Sequence, residues 1–129
     1  MENELLYKID AHRRLCIKKD LIELNMWIDT LTILNTELSQ LLVIEKQLLQ
    51  NITIETTLLG VRRKNTLVLA ALCKYEQGLN SEYEYGKVIY DVKRAKEHEK
   101  KRDSYMELMH DFYALRKSVY TMLSTYKRN

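Results

Sequence analysis

Residues 21–59 read LIELNMWIDTLTILNTELSQLLVIEKQLLQNITIETTLL, and their apolar positions return at alternating steps of three and four. Trp27, Leu31, Leu34, Leu38 and Leu41 lead one row, continued by Leu48, Ile52 and Leu59, and Leu24, Ile28, Leu42 and Leu49 run beside it. Side chains three and four apart stack on one side of an α-helix, so the two rows make one broad apolar face. At about 1.5 Å per residue such a helix runs roughly 60 Å. It cannot stand alone in water, so the rest of the chain or a second copy must cover it.

Composition points the same way. The 129 residues contain no proline and three glycines, with 46% hydrophobic and 30% charged side chains. Sandwiches and barrels need frequent turn residues, which are missing here, and the apolar content is too high for a disordered chain. The expected fold is all-α, a single domain over 1–129 built as a long antiparallel hairpin or bundle with coiled-coil-like packing.

Outward from the central stretch, Leu5, Leu6, Ile9, Cys16 and Ile17 carry a thinner row toward the N-terminus, where Asn3 suits a cap between Glu2 and Glu4. Residues 51–57 are poor helix formers and read as a fraying end. Gly60, followed by Arg62, Arg63 and Lys64 and then Asn65-Thr66, has the order of a helix end, a turn and a new cap. The corner is therefore expected at Gly60, with two arms of similar length. Gly78, with Ser81 and Glu84 at capping-box spacing, offers a second break and the alternative of a three-helix bundle. Beyond it the row is read through Val88 and Val92, thins across 96–104, and returns at Tyr105, Leu108, Phe112, Leu115, Val119, Met122 and Tyr126. Lys127 and Arg128 suit the negative end of the last helix.

A hairpin folded about residue 63 places Trp27 opposite Glu99, in the polar stretch 95–102. The face of Trp27, Leu31, Leu34 and Leu38 then lacks cover, and a homodimer through these four residues is expected.

For chemistry the sequence offers little. The charge of +3, from 21 basic and 18 acidic residues, is too balanced for a chain built mainly to neutralise phosphates. Charged residues from Glu2 to Arg14 argue against a secretory signal, and the longest apolar run, 67–73, is too short to span a membrane. Cys16 and Cys73 read as buried reduced thiols of a cytoplasmic protein. Glu107 and His110 have the Glu-x-x-His spacing of di-metal bundles but lack a second pair, Glu45 being a lone carboxylate on the apolar row. His12 and His98 are expected in solvent. No glycine-rich loop or nucleophile elbow is present, so no catalytic, cofactor or metal residue is assigned. The basic run contributes Lys93, Arg94, Lys96, Lys100, Lys101 and Arg102, expected as a solvated face, with acidic partners or nucleic acid as its functional reading together with 62–64. Tyr83, Tyr85, Tyr90, Tyr105, Tyr113, Tyr120 and Tyr126 suit half-wet boundaries between helices. A non-enzymatic protein-interaction module is the expected function, and a nucleic-acid accessory protein the alternative.

Overall fold

A computed structural model describes residues 2–126. Three helices account for nearly all of them: α1 (Glu2–Ile44), α2 (Ile52–Tyr85) and α3 (Val92–Ser124), with no strand among the described residues. The weak formers between Asn25 and Thr36 do not interrupt α1, and Asn3, expected as a cap, lies inside it. Lys127 and Arg128 lie outside the described residues. No described helix is long and apolar enough to cross a membrane.

The first corner falls ten residues before Gly60. At the end of α1 the backbone widens into a π-helical turn, Glu45–Leu49, and the Gln50 N–H donates to the Glu45 carbonyl at 2.7 Å. Gln50 takes the left-handed conformation (φ 47°), which stops the helix. Asn51 then caps α2, its side chain accepting from the Ile54 N–H at 3.1 Å. The buried Glu45 carboxylate accepts the Asn51 N–H at 3.1 Å, so one side chain serves both sides of the turn. The stretch expected to fray is thus the capped start of α2. Gly60 and Gly78 lie inside that helix, and neither the Gly60 corner nor the Gly78–Ser81 break exists.

The second corner is 86–91. Gly86 donates its N–H to the Glu82 carbonyl at 2.9 Å, and a Cβ added there would stand 2.6 Å from that oxygen, so the site requires glycine. Asp91 caps α3, accepting from the Arg94 N–H at 3.0 Å. Val88 and Val92, expected on the apolar row, are exposed at this corner.

In each helix the core-facing positions keep a strict four–three alternation. On α1 it runs Arg13, Ile17, Asp20, Leu24, Trp27, Leu31, Leu34, Leu38, Leu41 and Glu45, all buried. On α2 it joins Ile54, Leu58, Val61, Asn65, Leu72 and Leu79 through the half-buried Val68 and Tyr75. On α3 it runs from Arg94 and His98 through Lys101, Tyr105, Leu108, Phe112, Leu115 and Val119 to Met122. A seven-residue recurrence holds the same face of each helix toward its neighbours.

Cross-helix bonds fix the register. Arg13 donates to the Glu82 carbonyl and Asn65 to the Leu31 carbonyl at 3.2 Å, setting α1 and α2 antiparallel. Arg116 reaches Glu37 at 3.4 Å and His98 meets Glu23 at 2.8 Å, setting α3 parallel to α1. Lys64 joins α2 to α3, with Glu107 at 3.0 Å and Asp111 at 2.8 Å, and these bonds hold its ammonium pKa above the ordinary value.

This arrangement corrects the expected dimer face. Trp27, Leu31, Leu34 and Leu38 are buried within the single chain, because α3 returns alongside α1 instead of leaving its middle bare. The uncovered part of α1 is elsewhere. Since Arg13 already faces the last turn of α2, residues 3–12 extend past the other two helices and are exposed.

Gly60 and Gly78 give a direct check on the corners. Both are exposed in the interior of α2, and a Cβ at either position meets nothing within 4 Å. Gly60→Ala and Gly78→Ala should each raise stability by about 0.5–1 kcal/mol, measured by urea unfolding. A loss at Gly60 would show that the chain turns there after all.

Candidate functional site

The core-facing rows change character along the bundle. Toward the Glu45 end they are mostly leucine, isoleucine, valine and phenylalanine, interrupted by the buried Glu45 and Asn65. Toward the 86–91 corner they carry Arg13, Asp20, Tyr75, Glu82, Arg94, His98 and Lys101. Three of the buried polar side chains, Arg13, Asp20 and His98, lie in that half of the bundle.

His98 is the centre. It is 2% exposed, although the sequence placed it in solvent. Its ring stacks on Trp27 at 5.1 Å between centroids, and Trp27 also stacks on Tyr105, two turns along α3, at 5.5 Å. Both nitrogens of His98 are engaged: Nδ1 lies 2.9 Å from the Tyr75 hydroxyl, and Nε2 lies 2.8 Å from Glu23 Oε1 and 3.5 Å from Asp20 Oδ1. Burial, reinforced by the Asp20 carboxylate, pushes the Tyr75 hydroxyl pKa far above its ordinary value, so the phenol keeps its proton. In the neutral ring, Tyr75 donates to Nδ1 while Nε2–H donates to Glu23.

The network extends outward from there. Arg102 pairs with Glu23 at 2.6 Å, and this hydrogen bond lowers the Glu23 pKa and raises that of Arg102. The Tyr90 hydroxyl, from the 86–91 segment, donates to Asp20, and burial again raises its pKa. Arg94 pairs with Glu82 at 2.6 Å, and Arg13 with Asp10 at 2.9 Å. The Lys101 ammonium lies 5.5 Å from the Tyr75 ring centroid. A carboxylate–imidazole–phenol chain could relay a proton. Each group in it, however, is bonded to another in the chain, and the result joins α1, α2, the 86–91 segment and α3 in one register.

The six basic candidates therefore divide. Arg94 and Arg102 are ion-paired, and Lys101 lies on an aromatic ring. Lys93, Lys96 and Lys100 are exposed and line one shallow groove with Val92 and Glu97. Of the earlier basic patch, Arg62 and Arg63 are exposed while Lys64 is held by Glu107 and Asp111. That ion pair also occupies the Glu107 carboxylate of the Glu-x-x-His pair, whose His110 is exposed. Among the described residues no group of three or more His, Cys, Asp or Glu side chains is placed to hold a metal. Cys16 and Cys73 are unpaired and half-buried rather than buried, Cys16 standing 3.6 Å from His12.

Sequence reasoning missed Asp20, Glu23, Tyr75 and His98 as partners. The available signal was the four–three alternation continued through Arg94, His98, Lys101 and Tyr105, where polarity masked the periodicity. No family model matches the chain, and neither the curated proteins nor the solved structures yield a match.

Because its folded-state pKa is depressed, Glu23 stabilises the fold above its unfolded value, near 4.5, and loses that contribution as pH falls through the folded value. Glu23→Gln should therefore melt lower than the parent at pH 7. The gap in thermal midpoint should close between about pH 5 and pH 3. A gap independent of pH would show that Arg102 does not hold this carboxylate ionised.

Proposed function

We propose that this chain is a non-catalytic helical interaction module that works in the cytoplasm as a homo-oligomer and a binding partner for other proteins. The observation that carries the reading is the apolar surface left after the core is complete. Leu15, Ile22, Met26 and Ile33 on α1, Leu59 and Leu67 on α2, and Met106, Tyr113 and Tyr120 on α3 are all exposed. Met106, Tyr113 and Tyr120 recur every seven residues, so they form one row along α3. Rows of large apolar side chains in water are a hallmark of contact surfaces, whereas scattered ones are ordinary. The buried polar network supports the same reading, because its groups are engaged in aligning helices. The cytoplasmic assignment rests on the two unpaired cysteines.

Nucleic-acid binding is the second reading, favoured by one observation: Lys93, Lys96 and Lys100 are exposed at i, i+3 and i+7 on α3. One pair of measurements separates the two. The parent chain, used as bait in its own cells, should retain a protein partner that Met106→Glu/Tyr113→Glu loses while keeping its helicity. Retention on duplex DNA at low salt, falling steeply with added salt and abolished by Lys93→Glu/Lys96→Glu/Lys100→Glu, would overturn the module reading in favour of phosphate binding.

A further inference from the structure

The exposed row on α1 has a pattern of its own. Leu15 and Ile22 are seven residues apart, as are Met26 and Ile33, with a step of four between Ile22 and Met26. They are 69%, 57%, 65% and 69% exposed. At 100° per residue this row lies about 150° around the helix from the buried one. Extending its two registers outward by sevens adds Lys19 and Asp29 inside the row and reaches Leu5 and Val43 at its ends, all exposed. Helix α1 thus carries two seams, one satisfied by α2 and α3 and one open.

We propose that a second copy of this chain covers the open seam, α1 packing antiparallel on α1 about a two-fold axis beside residue 24. This deepens the interaction-module reading and rests on it for the premise that the exposed rows are contact surfaces. An isologous pair must be complementary to itself, and this row is. In the antiparallel register Ile22 faces Met26, Leu15 faces Ile33 and Leu5 faces Val43, each layer repeated by the two-fold. The charges agree with the same register: Lys19 faces Asp29, again twice. Neither residue makes an ion pair within the chain among the described residues. The remaining layers set Lys8 against Gln40 and His12 against Thr36, so no layer opposes like charges. Glu23 flanks the axis, where Arg102 of its own chain neutralises it. The pairing also engages the segment of α1 that extends past α2 and α3, because Leu5 comes to rest near the far end of the other α1.

Sedimentation equilibrium of the full chain at about 10–100 µM, a range in which isologous interfaces of ordinary strength are populated, tests the proposal. The parent should weigh twice 15.4 kDa. Ile22→Glu/Met26→Glu should weigh 15.4 kDa with unchanged helicity, because both positions lie outside the chain's own core. Lys19→Asp and Asp29→Lys should each weaken the dimer by about tenfold or more, and the double exchange should restore it. A monomeric parent overturns the proposal, including one that seats an unlike helical protein on this face, and takes the homo-oligomer part of the module reading with it; the cell-capture experiment then decides whether the chain binds other proteins. A dimer that survives Ile22→Glu/Met26→Glu, or that ignores the charge reversals, is built on another face or register and equally overturns it.

Discussion

Everything in this structure follows from covering one stripe. From Ile17 to Leu41, α1 presents a face of leucines, an isoleucine and Trp27, interrupted by Asp20, that is too long and too apolar for a helix alone in water. Burying each such side chain is worth roughly 1.5–3 kcal/mol, so the second half of the chain is organised to lie against it. Two helices share the task. Helix α2 returns antiparallel and α3 runs forward again, which brings Leu108, Phe112, Leu115 and Val119 beside Leu34, Leu38 and Leu41 in one core.

Apolar rows alone would leave the sliding of one helix on another weakly specified, since a shift by one heptad buries nearly the same area. The polar half of the core removes that freedom. His98 can meet Tyr75, Glu23 and Asp20 together in only one register, and Arg13 can reach the Glu82 carbonyl in only one. Asn65 acts similarly in the middle of α2, donating to the Leu31 carbonyl while its own oxygen stays unpaired among the described residues. Buried polar groups of this kind cost stability compared with a well-packed apolar core but define a single alignment.

The all-helical class and the apolar row from Ile17 to Leu41 were legible because periodicity survives without knowledge of partners, whereas Leu48, Ile52 and Leu59, read as its continuation, are exposed around and beyond the actual corner. The four residues Leu108, Phe112, Leu115 and Val119 were legible for the same reason. The corners were not. Gly60 and its following basic residues imitate a helix end, yet glycine on an exposed helical face costs only about 0.5–1 kcal/mol, which packing of α2 readily outweighs. The actual corner at Gln50-Asn51 depends on Glu45, a buried carboxylate whose role is visible only once the turn is formed. The polar cluster was hidden because His98 and Lys101 look like solvent-facing residues within a basic run. The polar stretch 95–102 does lie beside Trp27, with His98 stacked on its ring, but its polarity looked like a lack of cover and pointed to a dimer on the wrong face of α1.

With Trp27 and its row covered by α2 and α3, large apolar side chains still stand exposed on the outer faces of all three helices, and contact with other helices is the role proposed for them. That role presupposes that Trp27 is covered from within. Isotope-filtered nuclear Overhauser spectroscopy on a mixture of labelled and unlabelled chains tests this most directly. The account predicts cross-peaks from the Trp27 indole to the rings of His98 and Tyr105 inside one chain and none between chains. Cross-peaks appearing only between labelled and unlabelled chains would mean that another copy covers this stripe, and would contradict the account.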